Sequence, residues 1–278
     1  MGIARRCYST VSLLHVVNAP IYGMTADGLA AAVDRAKWDA EQLHGQLDNE
    51  HLLDGLTLDI MISVGSVWPT IADAIREKNA GLLVLGTHGR SGLGKFVLGS
   101  VAESAFREAP CPVFTVGPNL EKSKYFGAES KYFLVSTDLS PESTNALRYG
   151  LSLARAVDGE VLLLHILPPQ KGEVDAGSNP VEQVKGWLDE FLGEHPGAAK
   201  MVSARAEFGD PEQCIVNIAE QTRADLIVMG VRAWSIESSP MWRTAYHVLT
   251  QATCPVLSMK VPALSSPPPA MKANPDPM

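Results

Sequence analysis

Short apolar runs alternate with longer amphipathic stretches along most of this chain, a pattern that predicts a parallel α/β sheet. The second half shows it in full. Phe133–Ser136 predicts a first strand, and Ser140-Pro141 opens a helix with Ser at the N-cap and Pro at the first helical position. Strands follow at Val161–Ile166, Val202–Glu207, Leu226–Met229 and Val256–Met259. Helices are predicted between them at Glu182–Leu192, Pro211–Thr222 and Trp242–Thr250.

The first half repeats this order at a spacing of about 144 to 150 residues. Val11-Ser-Leu-Leu-His15 matches Val161-Leu-Leu-Leu-His165, Gly81–Gly86 matches Asp225–Gly230, and Cys111-Pro-Val-Phe114 matches Cys254-Pro-Val-Leu257. Strands are therefore expected at Val11–Val17, Leu56–Val64, Leu82–Leu85 and Val113–Val116, with helices at Leu29–Gln46, Val67–Lys78 and Ser100–Arg107. The stretch matching Lys131–Leu151 falls before Met1, so this half lacks its first strand and nearly all of its first helix. In a doubly wound sheet of order 3-2-1-4-5 that strand is central and borders the place where ligands bind. Three accounts stay open: a start upstream of Met1, closure of the gap by pairing strand 2 with strand 4, or a strand supplied by a second chain. Domains are expected at residues 1–118 and 130–261, joined by Asn119–Ser130, with a disordered tail rich in Pro, Ala and Ser at 262–278.

Length and composition narrow the classes. With 278 residues and 46% hydrophobic content, the chain can bury the cores of two domains. A net charge of −8 leaves no basic excess for neutralising phosphates, so nucleic acid is not an expected partner. No apolar run approaches a membrane span, and Val11–Val17 is expected to be a core strand rather than part of a signal peptide. Cys7, Cys111, Cys214 and Cys254 form no C-x-x-C pair or zinc spacing, which fits reduced thiols in a cytoplasm.

Candidate chemistry concentrates after the apolar run Leu82–Leu85. There the chain reads Gly86-Thr-His-Gly89 and, further on, Gly99-Ser100-Val101, a G-x2-G-x9-G-S spacing. It is neither the Walker A nor the Rossmann pattern. Glycines let backbone N–H groups approach an anion, and a following helix N-terminus adds free donors and a positive dipole end. The bland account is that the glycines relieve turns. Ser100-Val-Ala-Glu103 also reads as a capping box, with Ser100 at the N-cap and Glu103 at N3. His88, Arg90 and Lys95 fit solvated loop charges, with an approach of His88 or Arg90 to phosphates as the other account, and His15 and His165 fit satisfied core histidines. Cys111 and Cys254, each before a proline, fit burial rather than reactivity. No hydrolytic constellation is present: there is no G-x-S-x-G, no H-E-x-x-H, and no carboxylate pair spaced for acid–base work. No catalytic or metal-ligating residue is therefore assigned.

Leu13-Leu-His-Val-Val17, Gly86-Thr-His-Gly89, Gly99-Ser100 and Ala109-Pro-Cys-Pro-Val113 together resemble the universal stress protein family, over roughly residues 3 to 260 in two copies. The resemblance implies two tandem flavodoxin-like, adenine nucleotide alpha hydrolase-like parallel-sheet domains, the first lacking strand 1 and most of helix 1. It also implies ATP, with magnesium, in the first domain. Gly86, Gly89, Gly99, Ser100 and Val101 would meet the phosphates, and Val17 the adenine. ATP-binding members carry an aspartate after strand 1, which survives here only in the second half as Asp138; a turn or cap role is the other account of it. At the glycine and serine positions the second half reads Gly230, Ala233, Arg243 and Thr244, with Trp234 and Trp242 nearby, which speaks against a phosphate site there. In similar proteins the two edge strands 5 pair antiparallel, so Val113–Val116 and Val256–Met259 are expected to make an intrachain pseudo-dimer, with room for a homodimer. The implied role is a nucleotide-switched regulator of the stress response acting on a protein partner, not an enzyme beyond slow ATP hydrolysis. The alternatives are a scaffold that binds no nucleotide and, last, a nucleotide-transferring enzyme.

Overall fold

The computed structural model describes residues 2–18, 25–87, 98–120, 130–167, 179–194, 198–231 and 240–260. Backbone contacts divide them into two compact units, one reaching to Ala80 and the other starting at Gly81. This division cuts through the first sequence repeat. The tail, residues 262–278, lies outside the described residues.

The first unit contains α1 (Gly2–Arg6), β1 (Val11–Val17), α2 (Ala26–Asn49), β2 (Leu58–Val64) and α3 (Val67–Glu77). β1 and β2 pair in parallel from Val11 opposite Leu58 to Val17 opposite Val64. α1 is the stub of the repeat's first helix. Arg5 holds it by donating to the carbonyl oxygens of His51, Leu52 and Asp54 at 2.8 to 2.9 Å, which satisfies acceptors in the turn after α2. α2 starts where Thr25 accepts from the Gly28 amide at 3.1 Å, three residues ahead of the expected Leu29.

The second unit contains β3 (Leu83–Gly86), α4 (Ser100–Glu108), β4 (Val113–Val116), β5 (Tyr132–Thr137), α5 (Pro141–Val157), β6 (Glu160–Leu167) and α6 (Pro180–Glu194). It continues with β7 (Val202–Phe208), α7 (Pro211–Gln221), β8 (Leu226–Val231), α8 (Pro240–Gln251) and β9 (Val256–Lys260). Its seven strands run in the order β3-β4-β9-β8-β5-β6-β7. The complete repeat supplies β7-β6-β5-β8-β9, the doubly wound 3-2-1-4-5 order, with every neighbouring pair parallel. β5 is central, and its Phe133, Leu134 and Val135 are sealed from solvent. Strands buried on both faces read as continuous apolar runs, which is how β5, β6 and β8 appear in the sequence.

β4 and β9 join antiparallel, with Val113 opposite Ser258, Phe114 opposite Leu257 and Thr115 opposite Val256. The joint is reciprocal. Thr115 Oγ1 donates to the Val256 carbonyl at 3.0 Å, and Ser258 Oγ donates to the Val113 carbonyl at 3.3 Å. Buried hydroxyls without these acceptors would be costly. Closure of the first half by pairing strand 2 with strand 4 does not occur among the described residues: β1 pairs with β2, and β3 with β4.

Leu257 is fully buried in this joint. Leu257→Ala should lower the unfolding free energy by about 2–5 kcal/mol, read from the urea midpoint. Leu43→Ala, on the exposed side of α2, should stay within about 0.5 kcal/mol of the parent.

Candidate functional site

The glycine-rich segment begins at the end of β3, where Gly86 is exposed and stands opposite Val116 of β4. Thr87 is buried, and both its amide, at 3.0 Å, and its Oγ1, at 3.3 Å, donate to the Val116 carbonyl. The Thr87 carbonyl accepts from the Gly99 amide at 2.8 Å. The two ends of the loop are thereby pinned together at Thr87 and Gly99. Residues 88–97, among them His88, Gly89, Arg90 and Lys95, lie outside the described residues. Leu98 is buried, and its amide donates to Tyr246 Oη at 3.3 Å. Tyr246 sits on α8, 148 residues away, so no local pattern signals its role in holding the loop exit.

Gly99, not Ser100, is the N-cap of α4. It is extended, with φ −64 and ψ 146, and its carbonyl accepts from the Glu103 amide at 2.9 Å. The capping box is therefore not formed. Ser100 is the first helical residue, where its side chain no longer reaches back over the turn, and Glu103 pairs with Arg107 at 3.2 Å instead. The amides of Ser100, Val101 and Ala102 precede the first intrahelical acceptor, and among the described residues none of them has another acceptor. Ser100 is exposed and Val101 half-buried, while Ala102, Ala105 and Phe106 anchor the other face of α4 in the core. Free amides at the positive end of a helix are suited to an anion.

Val17 ends β1 in the first unit and is buried. Its carbonyl accepts from the Gly65 amide at 3.1 Å, as the Leu167 carbonyl accepts from the Gly209 amide at 2.9 Å in the second repeat. Both glycines have φ +156, and a Cβ on either would press on Thr70 Oγ1 at 3.0 Å or Cys214 Sγ at 2.6 Å. These paired glycines escaped the sequence analysis. Their signal is a Gly directly before the N-cap of the following helix in both repeats, Gly65-Ser66 and Gly209-Asp210.

The second repeat uses the equivalent places differently. A Cβ on Gly230 would lie 2.6 Å from the backbone of Glu142 and 2.7 Å from the Ser143 amide, so the start of α5 fills the space beside it. Asp138 accepts from the amide of Ser140 at 3.1 Å and from its hydroxyl, the turn role that opens α5. Arg243 is exposed and its guanidinium pairs with Glu212. Ala233 and Trp234 lie outside the described residues. His165 Nδ1 is 2.9 Å from the Thr137 carbonyl, a satisfied core histidine. Cys254 is buried, whereas Cys111 is only half-buried, with its thiol pushed up by desolvation. Among the described residues no helix is long and apolar enough to cross a membrane, and no group of three His, Cys, Asp or Glu side chains converges.

Comparison with known proteins gives a consistent picture. The model of the universal stress protein family matches residues 2–117 and again 130–260. A universal stress protein of Methanocaldococcus jannaschii is 29% identical over 148 residues, covering 48% of this chain and 83% of that protein. A putative universal stress protein of Staphylococcus aureus is 28% identical over 118 residues, covering 42% of this chain and 71% of that protein. Among solved structures, a universal stress protein from Archaeoglobus fulgidus superposes with a TM-score of 0.68 at 22% identity, covering 92% of this chain and 89% of that one. A protein of unknown function from Pseudomonas aeruginosa gives 0.61 at 18% identity, covering 92% and 94%. At these identities the solved structures speak for the fold alone.

The close packing beside Gly230 is testable by a methyl group. Gly230→Ala should cost about 1–3 kcal/mol of stability through its clash with the start of α5. Gly186→Ala, on the open face of α6 with nothing within 4 Å, should add about 0.5–1 kcal/mol. Thermal melts of the two variants beside the parent read both signs.

Proposed function

The chain belongs to the universal stress protein family, and from that premise we propose that it is an adenine-nucleotide-binding regulator of the stress response. ATP is the ligand, and its phosphates lie against Gly86, Gly89, Gly99, Ser100 and Val101. The observation that carries this is the pinned loop: the Gly99 amide on the Thr87 carbonyl at 2.8 Å holds the start of α4 at the end of β3. Exposed Ser100 and the free amides of the first turn fit an anionic group there. Magnesium enters with the nucleotide, carried on its phosphates. Val17 belongs to the first unit, and its part in adenine binding follows from the family resemblance alone.

ATP acts as an effector, shifting the protein between conformations or partners through its differential affinity for them. No catalytic residue is assigned, and any hydrolysis is slow. A cytoplasmic setting and a protein partner complete the proposal. A second possibility, a scaffold that binds no nucleotide, is favoured by one observation: in the complete repeat the place beside Gly230 is taken by the backbone of Glu142 and Ser143.

Calorimetric titration with Mg-ATP separates the two. The parent chain should bind with micromolar affinity, and Gly89→Trp/Gly99→Trp should lose that binding while keeping its far-UV spectrum. A folded parent chain that takes up no Mg-ATP overturns the proposal and favours the scaffold.

A further inference from the structure

Lys260 ends β9 and lines a pocket together with Phe106, Ala109, Cys111, Val113, Val231 and Met259. The register of the β4–β9 joint explains the neighbours. Val113 faces Ser258, so Cys111, two residues earlier, stands across from Lys260, two residues later. Phe106 and Ala109 come from the end of α4. The walls are apolar apart from the Cys111 thiol, itself pushed up by desolvation and so neutral at ordinary pH, and the Ser258 hydroxyl, which is committed to the Val113 carbonyl.

Lys260 is half-buried there, and among the described residues its ammonium has no hydrogen bond and no ion pair. Among the described residues, the charge acting on it is that of Glu108, exposed on the last turn of α4, which favours the protonated form. Desolvation outweighs that influence and lowers the Lys260 ammonium to about 8. The fold does not require a lysine at this place. The matching residue is Gly117, just past β4, and a Cβ there would meet the Leu249 carbonyl at 3.3 Å and the Ala252 carbonyl at 3.6 Å, near the end of α8. A long cationic side chain thus lines an apolar pocket at only one of two matching positions.

We propose that Lys260 is an acylation site, taking an activated short-chain acyl group from a thioester or an acyl phosphate. A lysine desolvated by an apolar pocket is a stronger nucleophile at neutral pH because more of it is the free amine. Its Nζ lone pair attacks the carbonyl carbon of the donor. The amide C–N bond forms as the C–S or C–O bond breaks, and the thiolate or phosphate leaves with the electron pair. The surplus proton on Nζ passes to water, and nothing is oxidised or reduced. The product is a neutral amide, for which burial costs far less than for an ammonium. Desolvation of Lys260 therefore favours the modified state as well as the attack.

The test uses the full chain, incubated in parallel with acetyl phosphate and with acetyl-coenzyme A across about pH 6 to pH 10. Acetyl occupancy is mapped by mass spectrometry at Lys260 and at the exposed Lys37, Lys185 and Lys200. Near pH 7, Lys260 should react about tenfold faster than these three. Its rate should level off through a midpoint of about 8, while the others keep rising. Removing the carboxylate charge with Glu108→Gln should move that midpoint lower. Selective labelling by either donor supports the site and identifies its source. Labelling of Lys260 no faster than that of the exposed lysines, or a midpoint shared with them, overturns it.

Discussion

The antiparallel joint between β4 and β9 is the contact on which the larger unit depends. Without it, β3 and β4 would be a two-stranded ribbon, which is marginal alone in water. With it, Val113, Phe114 and Thr115 are sealed and two sheet edges disappear at once. The glycine-rich segment inherits this support. Thr87 hangs on the Val116 carbonyl, Gly99 hangs on Thr87, and Leu98 hangs on Tyr246 of α8. Leu98, at the exit of that segment, is thus held by a helix of the second repeat.

The two repeats place matching glycines in different surroundings. Gly230 is a packing residue, without a Cβ because the start of α5 needs the room. Gly86, at the equivalent strand end, is exposed. Close approach of backbone is the physical demand at Gly230, whereas Gly86 faces solvent. A difference also appears at the joint, where Gly117 and Lys260 occupy matching places and only Lys260 lines a pocket.

Much of this was legible along the chain, for identifiable reasons. β4 spans its expected residues because Pro112 and Gly117 punctuate a short apolar run. The Ser140-Pro141 helix start was readable because both residues act locally, through the N-cap hydroxyl and a preset φ. The start of α4 was misread because Ser100 and Glu103 fit a capping box equally well in one dimension. The deciding fact was Thr87 drawing Gly99 into the cap position from twelve residues away. Tyr246 and the pocket around Lys260 were invisible for a related reason: they arise from strand register and helix placement across the repeats, which no local window contains.

The distance along the chain between the joined strands also has a consequence in time. Thr115 and its partner Val256 are 141 residues apart. A ribosome adding about 5–20 residues per second would take roughly 7–28 s to travel between them. Throughout that interval the nascent chain holds Phe114 and its neighbours without the strand that will cover them. Loss or delayed synthesis of the last strand would therefore strand an early, apolar ribbon. The quality of this protein's biogenesis is set by how its opening half is sheltered until its closing half arrives.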